Sequence, residues 1–276
     1  MTLTFTLRSE PPSRIAAGPL VPERLRGLDA RSVAADSIRC GRETVEVGDL
    51  FEVSGVGDEA LVFAGDLRRV DGIGAAMSGG RILVQGSCGD HLGARMSGGD
   101  ITVDGDAGDW AGAEMAGGVV RILGDTGARL GGAYPGFRAG MSGGEIIVNG
   151  DAGEEAGAGM RRGLVVLGGR TASGAGLRML AGTVIALRGI GTEAGLGNKR
   201  GTLASGARVE LLPGYAFAVR YRPPALRMQL RQALYLGLAV SKVMINGAWE
   251  RWSGDRTDLG RGEILIFDGD EEEAAR

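Results

Sequence analysis

Residues 96–114 read Met-Ser-Gly-Gly-Asp-Ile-Thr-Val-Asp-Gly-Asp-Ala-Gly-Asp-Trp-Ala-Gly-Ala-Glu, and the same pattern recurs along the middle of the chain. Its methionine returns at intervals of 19 residues, with one interval of 26, at Met77, Met96, Met115, Met141, Met160 and Met179. A glycine stands three residues after each of these methionines, and further glycines mostly follow nine, twelve and sixteen residues after it. A fixed period of this length indicates a stack of similar units rather than a globular core.

Each unit contains a short segment in which apolar residues alternate with other residues. The apolar pairs are Ile82/Val84, Ile101/Val103, Val120/Ile122, Ile146/Val148 and Val165/Leu167. Alternation with a period of two predicts a β-strand with one apolar face, and glycines supply corners where φ can be positive. Nineteen residues are too few for a strand, a crossover helix and a return. The predicted fold class is therefore all-β: a parallel β-helix (β-solenoid) of 19-residue glycine-rich coils, with the methionines stacked in one row that faces inward or lies at a corner.

The flanks lack this pattern and predict two further regions. We expect a mixed N-terminal cap over residues 1–60, the β-helix over residues 61–206, and a C-terminal cap or docking extension over residues 207–276. In the extension, leucines recur every fourth residue after a Pro-Pro pair, which predicts a helix over residues 225–240. These leucines are Leu226, Leu230, Leu234 and Leu238. The sequence leaves open whether the helix closes the end of the stack or docks a partner.

The composition argues against several classes of protein. A net charge of −3 gives no field strong enough to indicate nucleic acid as a partner. Two cysteines and one histidine are too few for a Cys/His metal cluster or a disulfide framework, so no metal is expected. The N-terminus lacks the features of a signal peptide, and no stretch reaches the ~18 apolar residues of a membrane span. We therefore expect a cytoplasmic protein without a membrane partner.

Residues that could carry catalysis are sparse. His91 occupies a position that holds unrelated residue types in later units, which indicates an exposed edge rather than a general base. Cys88 lies in a tight glycine corner without a nearby base motif. Asp90, Asp109 and Glu154 share one position, where paired carboxylates could hydrolyse a polysaccharide, but solvated charge is the simpler interpretation. We expect no catalytic residue in this chain.

The interval of 26 residues contains an insertion that exceeds the regular unit and should bulge outward. It carries Tyr134, Phe137 and Arg138, residue types that are favoured as anchors at protein interfaces. These residues are the candidate partner-binding site. The alternative is a loop that packs only on itself.

A second candidate site is a row of basic residues. Arg161 and Arg162 follow Met160, and Lys199 and Arg200 take the equivalent places two units later. With Arg178, they predict a positive stripe suited to an anionic ligand, and the alternative is an ordinary solvated edge.

Five segments stand out beyond the 19-residue period. They are residues 96–114, Met141-Ser-Gly-Gly-Glu-Ile-Ile-Val-Asn-Gly-Asp-Ala-Gly153, Ala133-Tyr-Pro-Gly-Phe-Arg-Ala-Gly-Met141, Pro223-Pro-Ala-Leu-Arg227 and Gly260-Arg-Gly-Glu-Ile-Leu265. Together they resemble the C subunit of formylmethanofuran dehydrogenase, and the similarity runs over most of the chain. The glycine pattern alone is less specific, because the C-terminal domain of the large glutamate synthase subunit has similar coils. The insertion and the two C-terminal motifs favour the formylmethanofuran family.

The resemblance implies a structural β-helix that has no active site of its own and holds the catalytic subunits of an enzyme complex together. In methylotrophic bacteria a chain of this family belongs to the formyltransferase/hydrolase complex. That complex moves a formyl group from tetrahydromethanopterin to a methanofuran-type carrier (methylofuran) and releases formate. In methanogens the chain accompanies a molybdenum or tungsten formylmethanofuran dehydrogenase with iron–sulfur partners. The arginine-rich, lysine-poor composition favours the bacterial complex.

The resemblance also suggests a ligand for the basic row, because methanofuran-type carriers have glutamate-rich tails. Arg161, Arg162, Lys199 and Arg200, with Arg178 beside them, would guide such a tail between active sites on neighbouring subunits. Two alternatives remain beside the bacterial complex. One is the C subunit of the dehydrogenase, and the other is a stand-alone β-helix scaffold of the glutamate synthase type.

Overall fold

The structure is a computed structural model, and it describes residues 2–269 of the chain. Met1 and residues 270–276, which include the acidic end of the predicted extension, lie outside the described residues. Within residues 2–269, thirteen strands form one mixed sheet, and two small sheets of four and two strands accompany it.

The N-terminal region combines short strands with single-turn helices. Its elements are β1 (Leu3–Leu7), β2 (Ile15–Ala16), α1 (Pro22–Leu25), α2 (Ala30–Ala34), β3 (Ser37–Cys40), β4 (Glu43–Glu46), α3 (Val47–Leu50) and β5 (Phe51–Ser54). β1 and β5 pair antiparallel, with Phe5 opposite Val53. The ring of Phe5 stacks on that of Phe63 with centroids 4.9 Å apart, and Phe51 meets both rings edge-on. This aromatic cluster fills the core at the N-terminal end, where the aromatic side chains supply a large apolar area.

The central region contains the strands of the 19-residue pattern. Its elements are β6 (Ala60–Ala64), β7 (Val70–Asp71), β8 (Arg81–Gln85), β9 (Asp100–Val103), β10 (Val119–Ile122), β11 (Glu145–Val148), β12 (Leu164–Leu167), β13 (Arg170–Thr171), β14 (Thr183–Ala186), β15 (Gly189–Ile190) and β16 (Thr202–Ser205). The longer strands pair in parallel and in register, so that Ile101 lies between Ile82 and Val120. The predicted apolar face is confirmed, because these residues and the six methionines of the series are buried.

The C-terminal region adds two helices and three strands. Its elements are β17 (Ala216–Tyr221), α4 (Pro224–Tyr235), α5 (Lys242–Asn246), β18 (Ala248–Gly254) and β19 (Gly262–Gly269). β19 pairs in parallel with β16, whereas β18 and β17 join antiparallel. The order in the large sheet is β17-β18-β19-β16-β14-β12-β11-β10-β9-β8-β6-β1-β5, and the small sheets are β4-β3-β2-β7 and β13-β15.

The predicted fold class, an all-β parallel β-helix, is wrong for the architecture that this strand pairing defines. Across residues 2–269 the chain forms one large mixed sheet with antiparallel strands at both ends, and five helices accompany it. The reason lies in the links between strands. They are glycine-rich, and many of their residues have positive φ, so most of them form turns rather than further continuous strands. Beyond the short β13–β15 pair, neighbouring links meet mainly at single bridges, for example Cys88 with Ala107 and Ala107 with Thr126.

Helix α4 lies across the outward face of the large sheet. Its buried side chains join those of six strands, β11, β12, β14, β16, β18 and β19, in a second apolar cluster, which includes Leu226, Leu230, Ala233, Ile147, Val166 and Ile185. The predicted helix extends to residue 240, but the observed one ends at Tyr235. Gly237 adopts a φ of 99°, which ends the helix and turns the buried Leu238 back toward the sheet. The helix therefore covers a sheet face rather than an end of the stack.

The helices of residues 2–269 are short. The longest, α4, has 12 residues, and none in this part of the chain has the length and apolar character needed to cross a lipid bilayer.

Candidate functional site

The insertion is held to the sheet-forming body by Tyr134. Its ring stacks on Trp110 with centroids 4.9 Å apart, and its hydroxyl lies 2.8 Å from Nδ1 of His91. Burial raises the pKa of Tyr134, so the hydroxyl keeps its proton and can donate it to this nitrogen. The guanidinium of Arg95 lies 5.3 Å from the ring centroid and also pairs with Glu114 at 2.9 Å. Tyr134 therefore serves as the internal anchor of the insertion.

The tip of the insertion is exposed. Phe137 is 61% exposed, and its only ring contact within the described chain is Arg95, whose guanidinium lies 5.5 Å from the ring centroid. Arg138 is also exposed. The structure thus separates the three predicted partner-binding residues: Tyr134 packs inward, whereas Phe137 and Arg138 face outward and stay available to a partner.

The basic row lies along one side of the stacked turns. The amide N–H of Arg161 donates to Met141 O at 2.9 Å, and the amide N–H of Lys199 donates to Met179 O at 2.9 Å. Leu180 occupies the intermediate turn through a bond of 2.7 Å to Met160 O. Along the successive turns, the apolar Leu180 therefore lies between the basic pair that begins at Arg161 and the basic pair that begins at Lys199.

These residues line two adjoining hollows that share Arg161 and Leu180. The larger, of about 750 Å³, also contains Phe137, Arg138, Arg178 and Lys199 in its wall. The smaller, of about 630 Å³, is lined by Ser142, Arg161, Arg162, Leu180, Ala181 and Arg200. We call the two hollows together the basic groove. The structure thus brings the exposed tip of the insertion and all five predicted basic residues to one continuous surface.

The charges of the basic groove are largely uncompensated. Lys199 pairs with Asp258 at 3.4 Å. Across residues 2–269 the arginines of the groove make no salt bridge; they are Arg138, Arg161, Arg162, Arg178 and Arg200. Clustered like charges repel one another, and an anionic ligand relieves that repulsion. The arrangement is therefore suited to binding an extended anion.

Asp90 and Asp109, two of the three carboxylates that share a position, bond to the backbone of a neighbouring turn. Asp90 accepts a hydrogen bond from the N–H of Asp109 at 3.0 Å, and Asp109 accepts one from Ala128 at 2.8 Å. Asp90 also pairs with Arg14 at 3.0 Å. These groups tie one turn to the next, which is a structural role. Within the described residues, no group of three or more His, Cys, Asp or Glu side chains could hold a metal ion.

Cys88 should be chemically inert in the folded protein. It is 5% exposed, and burial raises the pKa of its thiol to about 12. At pH 8 such a pKa leaves roughly one thiol in ten thousand as the reactive thiolate. We expect iodoacetamide to leave Cys88 unmodified in the native protein and to alkylate it fully in guanidinium, as measured by peptide mass spectrometry. If Cys88 in the native protein reacted with iodoacetamide as fast as a free thiol does, the thiol could not be buried as described.

The residues that support the two candidate surfaces are not evident from the sequence pattern. Asp258 comes from the loop before β19 and holds Lys199, and no spacing in the sequence links the two. Arg95 contacts both aromatic residues of the insertion. His91 and Trp110 occupy the same position in successive units, so their side chains lie next to each other. Both contact Tyr134, and their shared position is the sequence feature that could have indicated this.

No model of a known protein family matches the chain. The C subunit of the formyltransferase/hydrolase complex Fhc of Methylorubrum extorquens is 36% identical over 86 residues, which are 31% of this chain and 32% of that protein. The C subunit of molybdenum-containing formylmethanofuran dehydrogenase 1 of Methanosarcina barkeri is 37% identical over 83 residues, 28% of each chain. The chain thus matches about a third or less of the length of these two curated relatives.

A solved structure extends the similarity over nearly the whole chain. It is the crystal structure of the formyltransferase/hydrolase complex FhcABCD from Methylorubrum extorquens in complex with methylofuran. One of its chains matches with a TM-score of 0.89 and 34% identity, covering 95% of this chain and 98% of that one.

Proposed function

This chain belongs to the family of formylmethanofuran dehydrogenase C subunits, and from that premise we propose that it is a structural subunit of a formyltransferase/hydrolase complex. Its role there is to organise the catalytic subunits rather than to carry out a reaction itself. The complex would convert formyl-tetrahydromethanopterin to formate by way of a methanofuran-type carrier. The observation that carries the proposal is the near full-length similarity in fold and sequence to a chain of the FhcABCD complex.

We propose further that the basic groove guides the anionic tail of the carrier. Arg161, Arg162 and Arg200 are exposed and make no salt bridge with any residue of the described chain. A glutamate-rich tail would satisfy these charges, and bonds between guanidinium and carboxylate are among the stronger hydrogen bonds in proteins. An open groove suits a tail that slides, because exposed ion pairs are individually weak and exchange readily.

We propose that Phe137 and Arg138, rather than Tyr134, contact a partner subunit. An exposed aromatic ring beside an exposed arginine is a typical anchor for a protein partner. Tyr134, held by His91 and Trp110, would fix the loop in its binding position before the partner arrives.

The experiment that tests the subunit proposal is native mass spectrometry of the protein purified from its own cells, with identification of everything that accompanies it. We expect recovery with formyltransferase-like and amidohydrolase-like subunits. Recovery with a molybdenum or tungsten enzyme and iron–sulfur subunits would assign the chain to the dehydrogenase instead. Recovery as a lone monomer at native concentration would refute the subunit proposal.

The variant Phe137→Ala should weaken assembly. Removing an exposed aromatic anchor from an interface typically costs about 2 kcal/mol or more, which corresponds to roughly a 30-fold loss of affinity. We expect less of the partner subunits to be retained on an affinity-tagged variant chain, as quantified by mass spectrometry. The matched control is Phe217→Ala, which removes an aromatic ring of similar exposure on β17, far along the sequence from the insertion. Equal retention by the two variants would argue against the insertion as an interface.

A further inference from the structure

The larger hollow of the basic groove contains a carboxylate, that of Asp258. Among the described residues that line the two hollows, Asp258 is the only acidic one. It lies on the loop between β18 and β19, and one of its carboxylate oxygens is 3.4 Å from Nζ of Lys199. The described lining of the smaller hollow includes Arg161, Arg162 and Arg200 and no acidic residue. The two hollows therefore differ in how far their cations are compensated.

The loop that carries Asp258 is fixed to the turn that carries Lys199. The N–H of Asp255 donates to Asn198 O at 3.4 Å, and the N–H of Gly197 donates to Oδ2 of Asp255 at 3.3 Å. Asp255 is only 2% exposed, and its carbonyl oxygen accepts a bond of 3.0 Å from the N–H of Asp258. The carboxylate of Asp258 is thus held next to Lys199 by hydrogen bonds that do not involve the ion pair.

The ion pair between Asp258 and Lys199 is exposed, and it is therefore exchangeable. The two side chains are 34% and 40% exposed, respectively. An ion pair in such a position contributes little to stability and opens readily to solvent. Because Asp255 already fixes the loop, the main consequence of the pair falls on the groove. A ligand carboxylate can reach Lys199 only by displacing a carboxylate that is already in place.

We propose that Asp258 is a specificity-determining residue of the basic groove, because it occupies Lys199 as an internal counter-anion. The inference rests on the proposed role of this groove in binding the anionic tail of the carrier. It predicts that the tail is held mainly by Arg161, Arg162 and Arg200 in the smaller hollow, and less tightly in the larger one. A built-in competing charge of this kind limits affinity, which suits a tail that has to leave the groove again.

The substitution D258N tests the proposal in the full chain, in whatever assembly it purifies. The probe is a fluorescein-labelled tetraglutamate peptide, and its Kd is measured by fluorescence anisotropy. Because an amide cannot neutralise Lys199, we expect the Kd to fall about 3- to 10-fold below that of the wild type. The matched control is D66N, which removes an exposed carboxylate that pairs with Arg68 at 2.7 Å in the link between β6 and β7. It changes the net charge by the same amount and should leave the Kd unchanged.

The variant K199M shows whether Asp258 acts through the ion pair. In that background there is no ammonium group to release, so adding D258N should change the Kd by less than about twofold. The same gain with and without Lys199 would refute the assignment to this pair. Equal Kd values for D258N and D66N would overturn the proposal as a whole.

The triple reversal R161E/R162E/R200E separates this inference from the proposed role of the groove. Loss of probe binding in the triple variant, together with a D258N chain that binds like D66N, would leave the groove as an anion site and remove only the role of Asp258. If the wild type and the triple variant bound the probe equally, or if neither bound it, both the role of the groove and the role of Asp258 would fall.

Discussion

The triple reversal R161E/R162E/R200E should release the carrier from the assembled complex while leaving the set of assembled subunits unchanged. Each lost ion contact at an exposed site is worth up to about 1 kcal/mol, so three together should weaken carrier retention by roughly 10- to 100-fold. The repulsion between the new carboxylates and an anionic tail would add to this loss. The measurements are the amount of carrier that purifies with the complex, by mass spectrometry, and the rate of formyl transfer.

The matched control for this prediction is R31E/R39E/R42E, which reverses three exposed arginines of the N-terminal region. Both variants change the net charge by the same amount, so a difference between them reports position rather than total charge. The effect of the first variant should shrink at high salt, where the wild-type contacts are already screened. Carrier retention and activity equal to those of the control would remove the basic groove from the proposed function.

Truncation of Leu230 on α4 should strongly destabilise the fold. Its side chain is fully buried between the helix and the sheet, and replacing a buried leucine by alanine costs about 2–5 kcal/mol of unfolding free energy. On the same helix, Leu234 is 47% exposed, so Leu234→Ala should cost less than about 0.5 kcal/mol. Urea unfolding followed by circular dichroism measures both values.

The comparison also tests how α4 contributes to the sheet. A large loss for Leu230→Ala with an unchanged denaturant slope means that the helix unfolds together with the sheet. Similar small losses for both variants would instead mean that α4 is a loosely attached appendage, and the described packing would not explain why strands β12 and β14 beneath it are buried at every position.

The strands could be predicted from the sequence because their signal is local. Ile101 and Val103 alternate with other residues over a span that a single strand covers, and both are buried. The fold class was predicted wrongly because the same period does not reveal how the links pair. A glycine such as Gly112, with a φ of 62°, is compatible with a corner between strands and equally with a turn that pairs at a single bridge.

The end of helix α4 and the details of the candidate site depend on contacts between residues that are far apart in the sequence. The leucine spacing predicted a helix, but Leu234 follows that spacing and is half-exposed, whereas Leu238 lies beyond the helix and is buried. Only Gly237 marks the end, and its effect on Leu238 is evident only in three dimensions. In the candidate site, the basic row followed from stacking in register, whereas the pairing of Lys199 with Asp258 joins residues 59 apart and left no trace in the local sequence.

The two outermost strands of the large sheet, β5 and β17, both run antiparallel to their neighbours. Parallel strands in register present almost the same edge at every level, so an open edge of this kind can accept a strand from another copy of the chain as readily as one of its own. At both ends of the large sheet the antiparallel strands have a different hydrogen-bonding pattern, so the series of parallel strands stops there. A chain cut after Ser205 would lose β17–β19 and leave β16 as a bare parallel edge, from which copies could add end to end into a fibre. We therefore expect β17–β19 to hinder such end-to-end polymerisation, a role separate from any contact that they make inside a complex.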